Sequence, residues 1–572
     1  MVARSALPLL VLTSIGIAVG CGGSSGTGLT GGDAGTPIGD NDGGIVIPVD
    51  PSTDDGGVTP GQIITCAQAA AAKAYVGCDF WPTPVANAVW SIFDFVAVIA
   101  NPSNAPMDVT VTGPNGFNKS VSVPAKGLEK VFLPWVSELK GADADTCGGS
   151  NFPAASVLKR GGAYHLVTSS PATVYQFNAL EYKGAGGPPG KNWSSCPGNS
   201  PCVDPNDPFP IPQTVGCFSF SNDASLLLPS TAMTGQYRVL GASDDSSYVA
   251  VTATADNTSV EVKLGTRATI LSGSNGIAAR AAGGTSTFTL NRGDVIELFV
   301  QSRPLTGTSS APTPDMSGSI ISANQPVQVL TGTPCSSFPA PSTWPPPFTY
   351  NYSCDHIEES VFPAETLGKD YVVTVPTGPA NTPVGHIVRL VGNVDGTALT
   401  YSTNRPAGAP ATINAGQVVD LGRVNKDFRV TGDKAFGVVS LMLSAAVVDP
   451  TATLEAKGDP SMSFPTAIEQ YRDSYIFLAP TDYDVNLLDI IYPPEAEATL
   501  KLDGAALSVT GGDIAGSSYK IARVRLANSS GGAHELTADK PVGIQVLGYG
   551  SYTSYQYPGG LNLKLIAPPP IR

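Results

Sequence analysis

Charge is scarce in this sequence. Asp, Glu, Lys and Arg make up 14% of the 572 residues, well below the usual quarter. What charge there is leans acidic: 32 Lys and Arg against 47 Asp and Glu, a net −15. That excludes a nucleic-acid binder, which needs clustered cations to displace phosphate counterions. Histidine is scarcer still. The four are His165, His356, His386 and His534, and none lies at H-E-x-x-H or H-x-H spacing, so a His-based metal site lacks local support. There is no C-x-x-C, no Walker loop and no dinucleotide fingerprint. The single G-x-S-x-G match, GGSSG at 22–26, sits in a Gly-rich stretch and not on a strand-to-helix elbow. No metal or other cofactor is expected. Breakers are abundant, with 63 Gly and 50 Pro, and they exclude long helices and coiled coils.

The N-terminus carries Arg4, an apolar run Leu7–Val19 and then AVGC, ending at Cys21. A basic residue, a short apolar stretch and small residues before a cleavage point make a secretory signal, and the run is too short to span a bilayer as a standard helix. A Cys directly after Ala-Val-Gly resembles the lipobox of bacterial lipoproteins; a plain signal peptide is the alternative. The lipobox reading makes 1–20 a signal peptide and Cys21 an acylated N-terminus, and several acyl chains anchor stably where one binds reversibly. Gly22, not Asp, follows the Cys, which favours the outer membrane. Residues 21–61 are rich in Gly, Asp, Pro and Thr and bury too little to offset ordering entropy. They read as a disordered acidic tether. DNDGG within it lacks the spacing of a calcium loop.

Cys21 aside, eight cysteines remain: 66, 78, 147, 196, 202, 217, 335 and 354. An even number in an exported chain reads as four disulfides. Cys66 and Cys78 flank AQAAAAKAYVG, the one convincing short helix, with Thr65 as its cap. Cys335 and Cys354 flank a Pro-rich loop. Both pairs are local; Cys147, Cys196, Cys202 and Cys217 allow three connectivities.

A weak internal repeat runs through the body. One element is a small polar turn leading into an apolar strand: VTSSPATVYQF (167–177), ISANQPVQVL (321–330), VTGDKAFGVVSL (430–441) and LTADKPVGIQV (536–546). A second is a Pro followed by an aromatic that starts a strand: Pro82 to Trp90, Pro229 to Tyr237 and Pro363 to Tyr371 at eight residues, Pro465 to Tyr475 at ten. The two elements pair four times, over about 75–182, 217–335, 354–450 and 460–566. Short alternating strands with turns between them predict an all-β chain of about four tandem β-sandwich-like units. The corresponding segments are 62–182, 183–335, 336–450 and 451–572. Beads on a string and a closed ring are both open.

Two segments invite function. Asp355, His356, Glu358 and Glu359 in CDHIEES form the densest polar cluster, a candidate acid/base group for an exported hydrolase; the structural reading is a strand start after a disulfide. The loop between Cys335 and Cys354 carries Trp344, Phe348, Tyr350 and Tyr352 around Pro345–Pro347. Stiff proline and large rings suit a contact surface, and a hydrophobic cap between units is the competing reading.

The segments WPTPVANAVWSIFDFVAVIANPS, GGAYHLVTSSPATVYQFNAL, SFSNDASLLLP, CDHIEESVFPAETLGKDYVV, EQYRDSYIFLAP and GYGSYTSYQYPGGLNL, in that order, resemble the IgGFc-binding protein N-terminal domain family over about 75–566. The resemblance implies a non-enzymatic extracellular binding or adhesion module and assigns no catalytic residue. The expectation is a lipid-anchored envelope protein, periplasmic or surface-exposed, whose partners are the membrane through its lipid and a protein or glycan ligand. A structural envelope protein without soluble ligand is the alternative, and the hydrolase comes third.

Overall fold

In the computed structural model, the described residues are 65–570, apart from 150–152, 204–211, 220, 245, 303–312, 339–353, 451, 453–455 and 528–531. The signal segment 1–20, Cys21, the tether 21–61 and the loop aromatics Trp344, Phe348, Tyr350 and Tyr352 lie outside them.

The chain is all-β. Helix α1 (Cys66–Ala72) is closed by a capping box: Thr65 Oγ1 accepts from the Gln68 amide at 3.2 Å and Gln68 Oε1 from the Thr65 amide at 3.0 Å. A first repeat follows, with β1 (Gly77–Phe80), β2 (Phe95–Ala100), β3 (Met107–Gly113), β4 (Phe117–Val123), β5 (Leu128–Leu133), β6 (Val157–Lys159) and β7 (His165–Asn178). Next come β8 (Ala224–Leu227), β9 (Gln236–Arg238), β10 (Tyr248–Ala253), β11 (Thr258–Lys263), β12 (Thr285–Leu290), β13 (Val295–Phe299), β14 (Ile320–Ala323) and β15 (Val327–Ser336). The third group is β16 (Asp355–Ser360), β17 (Asp370–Val373), β18 (His386–Gly392), β19 (Thr397–Tyr401), β20 (Thr412–Ile413), β21 (Val418–Val424), β22 (Phe428–Gly432) and β23 (Phe436–Leu441). The last is β24 (Met462–Ser463), β25 (Arg472–Leu478), β26 (Val485–Tyr492), β27 (Lys501–Leu502), β28 (Ala505–Ala506), β29 (Gly512–Asp513), β30 (Lys520–Arg525), β31 (Ala533–Gly550) and β32 (Thr553–Pro558).

One antiparallel topology recurs four times. In the second repeat an inner sheet β13–β10–β15 packs on an outer sheet β12–β11–β14–β9. The third repeat has β21–β18–β23 and β20–β19–β22–β17. In the first and fourth, one long strand serves both sheets. Thus β7 closes β5–β2–β7 and β4–β3–β7–β1, and β31 closes β30–β26–β31 and β28–β27–β31–β25. The central inner strands β2, β10 and β26 are buried along their whole length; β2 reads as a continuous apolar run, whereas β26 carries Asn486 and Asp489 within it. Outer strand β3 alternates buried and exposed, with one wet face.

Each repeat is completed by a strand that follows it in sequence: β8 pairs with β7, β16 with β15, β24 with β23 and β32 with β31. These sheets therefore share strands across the segments 62–182, 183–335, 336–450 and 451–572. The four closing strands meet at the centre, β8 against β16, β16 against β24, β24 against β32 and β32 against β8. The repeats form a closed ring around this hub.

The ring interfaces follow one rule. On the second edge of each inner sheet one charged side chain occupies the same register: Lys130, Glu297, Asp420 and Arg523. Each reaches the preceding repeat around the ring. Glu297 accepts from the Ala86 amide at 2.9 Å, Asp420 lies 3.6 Å from Arg267, and Arg523 donates to Val375 O at 2.6 Å. Lys130 of the first repeat pairs at 2.5 Å with Asp482 of the fourth, which closes the circle.

The strand-opening tyrosines share a role as well. The hydroxyls of Tyr237, Tyr371 and Tyr475 donate to the first residue of the apolar strand, at Val327 O (2.7 Å), Phe436 O (2.7 Å) and Val542 O (2.5 Å). Each also accepts the amide three residues earlier, from Thr234, Gly368 and Arg472. The first repeat differs from the sequence expectation. Trp90 lies in the coil between β1 and β2, with its indole bonded to Ala144 O at 3.1 Å. The position matching the tyrosines is Phe80, paired with Leu166 of β7.

Four disulfides join the eight body cysteines. Cys66–Cys78 and Cys335–Cys354 are local, and the remaining four pair as Cys147–Cys202 and Cys196–Cys217.

Candidate functional site

The polar cluster Asp355–Glu359 is β16, and every side chain from Asp355 to Ser360 is buried. Its groups knot the closing strands together. Asp355 accepts from the Asn222 amide, from Thr553 Oγ1 at 3.0 Å and from the Ser554 amide at 3.4 Å. Asp223, just before β8, accepts from Ser461 Oγ at 2.7 Å and from the amides of Glu358 (3.1 Å) and Met462 (3.3 Å). Glu358 takes bonds from Gln176 Nε2 at 3.1 and 3.2 Å, and His356 Nε2 lies 3.0 Å from Asn178 Nδ2. Burial holds the carboxyls of Asp223, Asp355 and Glu359 well above the usual range. A hydrolytic group needs an opening toward substrate. These side chains face other repeats, and the cluster is a structural knot. Among the described residues no group of three or more His, Cys, Asp or Glu could hold a metal ion.

The loop between Cys335 and Cys354 springs from this hub. Its near end is fixed: Ser336 Oγ donates to Asp244 at 2.8 Å, and the Phe338 amide donates to Ser444 Oγ at 3.2 Å. The disulfide joins the end of β15 to the start of β16. Both ends are thus anchored on the ring where the second repeat meets the third.

Solvent enters between repeats. At each interface lies the residue after the opening aromatic. That residue is Trp81, Arg238, Val372 or Ile476. Between the first and second repeats Trp81 stacks on His165 at 4.4 Å under the Arg292 guanidinium at 5.3 Å, so rings occupy the interface. Between the third and fourth, Val372 packs with Tyr471, Ile514 and Ile521. The other two stay open. A cleft of about 380 Å³ between the fourth and first repeats is lined by Ile476, Asn101, Lys126 and His534. One of about 1230 Å³ between the second and third is lined by Arg238, Lys263, Arg267, Asn393, Asp395 and Gly416, among others.

The larger cleft is a roomy concave surface with convergent polar groups, the usual marks of a ligand site. Arg238 is 3% exposed. Its Nη1 donates to Gly318 O at 2.8 Å, and its Nε has no partner. Desolvation lowers its pKa to about 10, against the favourable field of Asp395. Arg267 is held by Asp315 at 3.0 Å. Sequence reading missed this site. The signal that marks it is the position after the opening aromatic, apolar in three repeats and Arg in one.

The family model of the IgGFc binding protein matches residues 223–548, more than half of the chain, from the first closing strand to near the end of β31. No curated protein matches the sequence. A crystal structure of a tetra-tandem repeat in the extending region of a large adhesion protein is similar at 11% identity over 84% of this chain and 98% of that one, with a TM-score of 0.09, a level that carries no argument. Three repeats of common topology fall within the matched span, and the fourth, at the N-terminal side, repeats it again. The chain belongs to the IgGFc-binding protein family.

Proposed function

We propose that this chain is a lipid-anchored, non-enzymatic binding and adhesion protein of a bacterial cell envelope, held by Cys21 at the outer membrane and recognising a protein or glycan on the ring surface. The observation that carries the reading is the contrast between a sealed polar hub and an open, polar inter-repeat cleft. The hub offers chemistry without access, and the cleft offers access with groups suited to recognition. Family membership supports a binding role. Four disulfides fit an oxidising compartment, and AVGC with a Gly- and Asp-rich segment behind it fits an anchor and spacer.

Two measurements test it. Fractionation of a Cys21→Ser variant should move the protein from membrane to soluble fractions; retention at unchanged mass contradicts the anchor. The purified full chain, applied to protein and glycan arrays, should bind a defined subset. Silence on both arrays, with a deletion that weakens the envelope, supports a structural role instead.

A further inference from the structure

The geometry points to the cleft between the second and third repeats as a site for an acidic peptide segment, with Arg238 as the group that receives its carboxylate. This deepens the binding reading and rests on it.

The comparison among repeats makes the case. Three of the four equivalent positions hold Trp81, Val372 and Ile476, which bury apolar surface at no electrostatic cost. The second repeat places a guanidinium there, 97% buried by the same measure that leaves it 3% exposed. A buried charge with one carbonyl bond and an unpartnered Nε is expensive to keep. An arriving carboxylate offsets that cost, because guanidinium and carboxylate match in a paired fork. The backbones of the two repeats approach closely beside this guanidinium: Gly416 (φ +74) faces Arg238, where a Cβ would sit 3.4 Å from Nη1, and a Cβ on Gly318 (φ +82) would lie 2.4 Å from Gly416 O. Lys263 adds positive charge to a lining whose acid is Asp395, while Arg267 is paired with Asp315 and Asp420. On a chain of net −15 this is a local reversal of sign, suited to steering an acidic partner.

Two features favour a peptide over an acidic sugar. The chain's own Pro568 and Pro569 line the cleft, so polypeptide already packs along one wall. Among the described residues no aromatic ring lines the cleft to stack on the apolar face of a sugar.

The test uses the full chain with three probes: capped hepta-glutamate, capped hepta-glutamine and tri-galacturonate, by calorimetric titration. Hepta-glutamate should bind, more weakly as salt rises, and hepta-glutamine should not. Arg238→Val installs the third repeat's residue and should weaken hepta-glutamate at least about tenfold with an unchanged or raised melting temperature. Asp395→Asn removes the acid from the lining and should strengthen binding, whatever the fate of the Arg238 variant. Absence of hepta-glutamate binding, equal binding of hepta-glutamine, or an Arg238→Val protein that binds as well as its parent overturns the proposal. Binding of tri-galacturonate alone replaces the peptide with an acidic glycan. If the arrays reveal a ligand while hepta-glutamate fails, only this inference falls; if the arrays are silent too, the binding reading falls with it.

Discussion

Buried carboxyls set how this protein answers to pH. Glu297 is buried between the first two repeats, accepts the Ala86 amide at 2.9 Å, and is pushed by desolvation from its ordinary 4.5 up to about 8. The folded chain therefore holds a proton there that the unfolded chain gives up. The stability tied to this group is present below about 4.5 and is lost as pH rises toward about 8, at about 1.4 kcal/mol per pH unit. Glu297→Gln keeps an acceptor for the Ala86 amide and never ionises. Its denaturant midpoint relative to the parent should climb steadily between pH 5 and roughly pH 8; a constant difference across that range contradicts the assignment. The paired surface acids act in the opposite sense. Asp143 and Asp484 are lowered, by Lys140 and Ser91 in one case and Lys457 and Tyr182 in the other, against the desolvation that raises them. Their contribution is present above the usual carboxylate range and is lost as pH falls. The tyrosine hydroxyls supply a second residue-scale prediction. Tyr371→Phe leaves the buried Gly368 amide and Phe436 carbonyl without a partner, a loss of about 1–3 kcal/mol. The same change at Tyr237 and Tyr475 should cost about as much in chemical denaturation, and a negligible cost at all three would remove the tyrosine link from the account.

At the scale of elements, the closing turns were legible because their chemistry is local. Asn324-Gln325, Asp433-Lys434 and Asp539-Lys540 each precede a strand that is apolar because both its faces are covered, and a turn residue followed by an apolar run needs no distant partner to be read. The openers were legible for three repeats. Pro229, Pro363 and Pro465 follow the closing strands β8, β16 and β24, and the chain then needs about eight residues to cross to the next outer sheet. Before β1 no closing strand is described, so the Pro spacing matched Trp90 by coincidence, and the register belongs to Phe80. The polar cluster left both a structural and a chemical reading open, because sequence shows residue types and not the walls around them; burial on all sides makes it structural. The cleft was illegible because it joins Arg238 to Asn393 across two repeats, and a lone Arg in a strand reads as a solvated charge. The loop between Cys335 and Cys354 yields the prediction at this scale. Its ring-bearing residues are proposed as contact surface, so Trp344→Ala with Tyr350→Ala should reduce array binding at an unchanged melting temperature. A fall of many degrees, with binding lost only in step with unfolding, makes the rings core instead. Opening the disulfide by Cys335→Ser with Cys354→Ser should lower stability by about 2–4 kcal/mol, given a sequence separation of 19.

For the whole molecule, the ring explains features that no single repeat requires. A sandwich of this size has its own core, yet Asp223 and Asp355 bond closing strands from three repeats each. The largest apolar core unites the first and fourth repeats with the hub. None of this could be read from periodicity. The interface residues Lys130, Glu297, Asp420 and Arg523 share a register but differ in type, so no repeated motif announces them. The first and fourth repeats are far apart in sequence, and only the fold brings Lys130 to Asp482, 352 residues later. That contact is also the most direct test of closure. Both side chains are about a quarter exposed, at 26% and 24%, and lie 2.5 Å apart, within reach of a carbodiimide that joins an amine to a carboxylate with no spacer. Digestion and mass spectrometry of the native, treated monomer should recover a peptide linking residue 130 to residue 482, alongside the within-repeat link between Lys520 and Glu497 at 2.8 Å as a control. Recovery of the control link with no link between the first and fourth repeats would mean that the four repeats form an open string and that the closed ring is wrong.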